Sequence, residues 1–68
     1  MLDELDVVAL LVDRPDLGLS KGQTGTVVCV YGKHEAFEVE FVDDGGLTYG
    51  LETFQAEDLL KLHFTKAA

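Results

Sequence analysis

The sequence predicts an all-β fold of five short strands, and three observations support this. The first is a glycine-bracketed turn, Gly22-Gln23-Thr24-Gly25, that leads into a run of β-branched residues. Glycines permit a tight bend at little steric cost, and β-branched side chains favour pleated strands. The second is the alternation of apolar and acidic residues over 36–42, and the third is the Asp-Asp-Gly-Gly segment at 43–46, which is typical of a hairpin turn.

The five strands are predicted near residues 5–12, 25–31, 36–42, 47–54 and 60–64. The first is a short apolar run, which Pro15 soon prevents from continuing as a helix. A β-bulge is expected near Val27 or Val28, where a small barrel must curve. The third strand places Phe37, Val39 and Phe41 on one face, and the fifth places Leu60, Leu62 and Phe64 on one face.

The connections are predicted to be short. Arg14-Pro15-Asp16 indicates a turn, while Leu17 and Leu19 are expected to cap one end of a barrel. Residues 55–59 are predicted to form a single helical or 3-10 turn before the last strand. Together these features predict a small five-stranded SH3-like barrel forming one domain over residues 1–68. An OB-like barrel is the alternative, although the chain leaves no room for its usual inserted helix.

The charge of the chain restricts its partners. With 13 acidic and 5 basic residues, the net charge is −8, so the electrostatic field of the molecule repels nucleic acid and anionic membranes. A nucleic-acid-binding barrel is therefore the less favoured hypothesis. No apolar run approaches the length of a membrane span, and the acidic start lacks the pattern of a signal peptide, so we expect a cytoplasmic protein.

Candidate chemical groups do not combine into a catalytic, cofactor or metal site. Glu38 and Glu40 share a strand face, which is typical of the solvated side of a half-buried strand. Cys29 has no second cysteine to pair with, so no disulfide is expected. His34 and His63 show no ligand spacing with it or with each other. The sequence predicts no enzyme and no cofactor.

The remaining candidates are residues suited to an interface. Aromatic side chains are favoured interface anchors, and an edge strand offers backbone groups for strand addition. The candidates are Tyr31, Tyr49, Phe54, Lys61 and His63. The alternative for Phe54, and for Tyr49 as well, is that the side chain fills the core. Replacing Tyr31 or Tyr49 with alanine is predicted to preserve folding while weakening association.

Several of these segments carry a family resemblance. They are the apolar run at 5–10, the segment at 18–28, the alternating strand at 37–41, and the stretches 43–49 and 56–60. In order and spacing they resemble the small bacterial domain-of-unknown-function 4926 family over about residues 5–62. The resemblance implies a compact SH3-like barrel and no catalysis. The glycine-rich turn also resembles wider SH3-like barrels that serve as docking modules.

These observations predict a non-enzymatic protein-binding or docking module. The expected partner is another protein, with a basic surface to match the acidic chain. An antitoxin-like neutralising partner of a neighbouring toxin is one alternative, which rests on analogy with the genetic setting of such families. A self-assembling structural unit that forms a homo-oligomer is another.

Overall fold

The computed structural model describes residues 2–62 and has the predicted all-β character. Its elements are β1 (Val7–Leu10), a 3-10 helix (Pro15–Leu17), β2 (Thr24–Tyr31), β3 (Ala36–Val42), β4 (Thr48–Phe54), a second 3-10 helix (Ala56–Asp58) and β5 (Leu59–Lys61). The bounds of the third strand match the prediction, and the first strand is shorter at both ends. The 3-10 turn before the last strand is confirmed. The predicted last strand extends past residue 62, outside the described residues.

The five strands form one antiparallel sheet in the order β4-β3-β2-β1-β5. Strands β1 to β4 follow one another as a meander, and β5 returns to pair with β1 over three residues. Within residues 2–62, β4 and β5 are the two edges and do not pair with each other. The all-β, five-stranded part of the prediction is confirmed, but the predicted SH3-like barrel is not closed among the described residues, because no ladder joins β4 to β5.

Two irregularities interrupt the sheet. Val27 pairs with Val39 and Cys29 with Glu38, so Val28 is an extra residue on β2. This confirms the predicted bulge. The second, which the sequence did not predict, lies between β3 and β4.

At that second irregularity, Phe41 pairs with Gly50 and Val42 pairs with Thr48, which leaves Tyr49 as the extra residue. A bulge bends its strand and changes the direction of the side chain it carries.

The core is a single cluster of buried apolar side chains. It contains Leu2, Val8, Leu10, Leu19, Val27, Phe37, Val39, Phe41, Phe54 and Leu59. The alternation predicted for β3 is confirmed, since Phe37, Val39 and Phe41 are at most 1% exposed. Leu19 is buried and Leu17 packs against the core, as expected of residues that cap its end. Leu2, to which the sequence analysis gave no role, also belongs to the core.

The last strand turns Leu59 toward the core, whereas Leu60 is half exposed. The predicted alternation began at Leu60 and left Leu59 in the preceding turn. The second 3-10 helix ends at Asp58, so β5 begins one residue earlier than predicted. Because side chains alternate along a strand, this single residue decides which leucine is buried.

Candidate protein-interaction surface

Of the five residues predicted for an interface, the four that the structure describes do not form one surface. Tyr31 ends β2 beside the turn to β3, whereas Tyr49 lies near the turn from β3 to β4. The two tyrosines are thus at opposite ends of β3. Lys61 is on β5, at the far edge of the sheet from Tyr49. His63 lies outside the described residues.

Phe54 does not belong to an exposed surface. Only 2% of it is exposed, and its ring packs edge-on against Phe41 with 6.0 Å between the ring centroids. The guanidinium carbon of Arg14 lies 5.9 Å from the centre of the Phe54 ring. The alternative that Phe54 fills the core is therefore the correct one, because its side chain faces inward opposite Phe37.

Tyr31 is exposed, but its hydroxyl has a partner within the sheet. It donates a hydrogen bond of 2.7 Å to Oε2 of Glu38. That bond, followed by desolvation and the charge of Glu38, raises the pKa of Tyr31 to about 12. Glu38 also accepts a hydrogen bond from the hydroxyl of Thr53. Tyr31, Glu38 and Thr53 therefore form a small polar cluster on the exposed face of the sheet.

Tyr49 is held in place without being buried. Its ring is 49% exposed and lies tilted against Phe41, with 6.2 Å between centroids. Its hydroxyl accepts a hydrogen bond of 3.1 Å from Nε2 of Gln23. The other end of that amide, Oε1 of Gln23, accepts a hydrogen bond from the backbone N–H of Ser20. An aromatic ring fixed in this way loses little further freedom when a partner binds.

A cleft of about 430 Å³ opens beside Tyr49. It lies between the turn that precedes β2 and the turn that joins β3 to β4. Its lining residues are Gly22, Gln23, Thr24, Val42, Asp43, Asp44 and Tyr49. The cleft therefore combines one exposed aromatic ring, one apolar side chain and two carboxylates.

The two carboxylates of the cleft have different roles. Oδ1 of Asp43 accepts hydrogen bonds from the backbone N–H groups of Gly45 (2.9 Å) and Leu47 (3.0 Å), so Asp43 stabilises the turn. Asp44 is exposed and makes no hydrogen bond or ion pair with another residue of the described range 2–62. Asp44 is therefore the carboxylate available to a partner.

Further exposed apolar side chains lie on the same hairpin, and one of them, Val42, lines the cleft. Val42, Leu47 and Leu51 are 44%, 70% and 52% exposed, and all three belong to the same hairpin as Tyr49. We call the set of Val42, Asp44, Leu47, Tyr49 and Leu51 the β4 surface. Exposed apolar side chains rimmed by polar residues are typical of protein interaction sites.

Lys61 lines a second cleft, of about 440 Å³, at another part of the molecule. Its lining residues are Leu2, Lys33, His34, Phe37, Ala56, Leu59 and Lys61. Nζ of Lys61 lies 3.3 Å from Oδ2 of Asp6, and Nε2 of His34 lies 3.1 Å from Oδ1 of Asp3. These carboxylates pair with two of the three basic side chains that line the cleft.

The other chemical candidates have structural partners. Glu40 accepts a hydrogen bond of 2.7 Å from the hydroxyl of Thr48, and Cys29 is partly buried on β2. Among residues 2–62, no group of three His, Cys, Asp or Glu side chains is placed to hold a metal ion. Nor does the described part of the chain contain a helix long and apolar enough to cross a membrane.

The fold and this surface define a small all-β domain with an open sheet and an exposed hairpin. The chain belongs to the DUF4926 family, described as a domain of unknown function, whose model matches residues 4–61. This confirms the family resemblance seen in the sequence. Neither the curated proteins nor the solved structures include a match to this chain.

Tyr49 is predictable from the sequence as an interface candidate, but its neighbours are not. Gln23 stands between two glycines, and nothing local indicates that it reaches a tyrosine 26 positions away. Asp44 was assigned to the turn together with Asp43, although only Asp43 stabilises it. The Asp-Asp pair is the local signal for this division, because one Asp side chain can accept the hydrogen bonds of the turn backbone and the other is then not needed by the turn.

Proposed function

We propose that this protein is a non-enzymatic docking module that binds a basic partner protein through the β4 surface. The observation that carries the proposal is the position of Tyr49, which lies at a bulge with its ring half exposed beside an unengaged carboxylate, Asp44. Tyrosine is among the residues that contribute most to binding energy at interfaces. Leu47 in the turn and Leu51 on β4 are further exposed apolar side chains of the same hairpin.

Charge supports a basic partner. The chain carries a net charge of −8, and long-range attraction raises the rate at which oppositely charged proteins meet. Asp44 adds a local carboxylate at the rim of the cleft. Association through such a surface should weaken as salt is added, because salt screens exposed charges.

The topology supports a relationship to SH3-like domains. A meander of four strands, a 3-10 helix and a fifth strand that returns to β1 are the elements expected of such a domain. In this chain they form an open sheet. Docking is a common use of SH3-like domains, and this analogy adds modest support to the interface itself.

Affinity capture with matched variants tests the proposal. The tagged protein is used to capture partners from nuclease-treated lysate of its native host, alongside Tyr49→Ala and Asp44→Asn. Glu35→Gln is the control, because it removes the same charge as Asp44→Asn but lies in the turn at the other end of β3. Thermal unfolding of each variant shows that it is folded.

We expect one stoichiometric, basic partner with the wild type and with Glu35→Gln. Loss of an interface anchor costs about 2 kcal/mol or more, which is roughly a 30-fold loss of affinity, so capture by Tyr49→Ala should be strongly reduced. Equal capture by all variants would contradict the β4 surface. Recovery of the bait alone, with concentration-dependent mass in light scattering, would favour self-assembly instead.

A further inference from the structure

We infer that the partner contributes an extended basic segment that adds to the edge of β4 as a sixth strand. This inference rests on the proposed function and names the mode of binding at the same surface. Strand addition uses the outward N–H and C=O groups of an edge strand, with alternate side chains providing selectivity. Three features of β4 support it: its position in the sheet, its weak protection and its charge.

The first feature is the position of β4. It contains seven residues, Thr48–Phe54, and among the described residues it pairs with β3 alone. Its opposite side therefore carries backbone groups that are not part of any ladder. The bulge at Tyr49 lies at the start of the strand, and residues 50–54 pair with β3 in regular register. The other edge, β5, has only three residues.

The second feature is that β4 is less protected than the other edge. Natural edge strands are protected by lysine and other charges, by proline, by β-bulges or by being very short. β4 has neither lysine, arginine nor proline; Glu52 is its one charged residue, and its bulge lies at the start of the strand, outside the regular residues 50–54. β5 has only three residues, one of them Lys61. The less protected edge is therefore the one that carries Tyr49.

The third feature is the charge around this edge. Glu52 on β4, Glu40 on β3 and Asp44 in the adjoining turn give the edge a negative character. The pKa of Arg14 is raised chiefly by its hydrogen bonds to Asp16 and to a smaller extent by the charge of Glu52. The guanidinium itself is held by the Asp16 carboxylate, at 3.1 and 3.2 Å. Pairing between two copies would bring these carboxylates together, so a basic segment from a different protein fits the edge better than a second copy.

Synthetic peptides can test this mode of binding directly. The probe is a capped peptide of alternating Lys and Val that matches the seven residues of β4. Two control peptides are N-methylated on the backbone. In one, the backbone nitrogen of every Lys is methylated, and in the other, the backbone nitrogen of every Val is methylated. Each control lacks the N–H donors along one side of an extended chain, while its charge is unchanged.

Amide NMR of the full-length protein reports which residues respond. We expect the unmethylated peptide to shift the amides of β4 and to slow their hydrogen exchange. At least one methylated peptide should bind about tenfold or more weakly, since each lost backbone hydrogen bond costs about 1 kcal/mol. Glu52→Gln should weaken binding more than the matched Glu35→Gln. Equal binding of all three peptides would overturn strand addition and indicate charge attraction only.

The outcomes distinguish this inference from the proposed function. If capture of the natural partner depends on Tyr49 but the peptides bind equally, docking stands and strand addition fails. If the natural partner binds Tyr49→Ala as tightly as it binds the wild type, the proposed function itself fails. Concentration-dependent dimerisation that shifts the β4 amides without any peptide would overturn the basic segment as the occupant, in favour of a second copy.

Discussion

The hydroxyl of Tyr49 accepts a 3.1 Å hydrogen bond from the side-chain amide of Gln23, which joins the edge strand to the turn before β2. The bond fixes an aromatic ring that is otherwise half exposed. It crosses between segments that are far apart in sequence, and both line the same cleft. The relationship links the glycine-bracketed turn, around which the chain is organised, to the surface for which we propose a function.

Replacing Tyr49 with phenylalanine separates the ring from its hydrogen bond. The ring remains against Phe41, and only the bond to Gln23 is lost, so the free energy of unfolding should fall by about 0.5–1 kcal/mol. Partner affinity should fall much less than in Tyr49→Ala, because the anchor is retained. Chemical denaturation and titration calorimetry measure the two effects. A Tyr49→Phe variant that binds as weakly as Tyr49→Ala would show that the hydroxyl, and not the ring, carries recognition.

The raised pKa of Tyr31 predicts a loss of stability at high pH. Because folding raises this pKa from 10.0 to about 12, the stabilising contribution is complete below pH 10 and is lost as the pH rises toward 12. Phenolate absorbance in a Tyr49→Phe background isolates the titration of Tyr31. Glu38→Gln removes the main cause, so the midpoint should move toward the ordinary tyrosine value. An unchanged midpoint in Glu38→Gln would contradict the hydrogen bond.

Gly25 and Gly45 make a matched pair for testing the packing of the sheet. A Cβ at Gly25 would lie 2.7 Å from Cγ1 of Val39 and 2.8 Å from the backbone oxygen of Glu40. Gly25→Ala should therefore destabilise the fold by about 1–3 kcal/mol. At Gly45 a Cβ would meet only Oδ1 of Asp43 at 3.4 Å, so Gly45→Ala should change stability by less than about 0.5 kcal/mol. Equal costs at both sites in urea denaturation would contradict this packing.

The neighbouring residues Asp43 and Asp44 should differ when each is changed to alanine. Asp43→Ala removes two hydrogen bonds to the turn backbone and should cost about 1–2 kcal/mol. Asp44→Ala removes no such bond and should leave thermal unfolding nearly unchanged. We expect the reverse order for partner binding, provided that Asp43→Ala is measured at a temperature where it is folded. If Asp44→Ala destabilises as much as Asp43→Ala, the division of roles is wrong.

Local pattern predicted the elements of the fold well. The alternation around Phe37 and Val39, the bulge at Val28 and the 3-10 helix before β5 all follow from short-range preferences of the chain. These preferences act between near neighbours, so a single sequence reveals them. The family resemblance depended on the same turn glycines and core positions, and it was confirmed over residues 4–61.

Long-range relationships were not predictable in the same way. Nothing in the residues of β4 indicates that its second edge stays unpaired, because that depends on where the second 3-10 helix directs β5. The contact of Gln23 with Tyr49 depends on the same global arrangement. The burial of Leu59 in place of Leu60 followed from the end of a helix of three residues, and the bounds of so short an element are poorly specified by sequence.

The most direct test of the account is the dissociation constant of the captured partner, measured for wild type, Tyr49→Ala and Tyr31→Ala. Both variants should still unfold cooperatively, but at a lower temperature than the wild type, because each loses a side-chain hydrogen bond, and binding is measured at a temperature where both are folded. We predict that Tyr49→Ala binds at least tenfold more weakly, and that Tyr31→Ala, at the other end of β3, binds as the wild type does. Unchanged binding by a folded Tyr49→Ala variant would contradict the account.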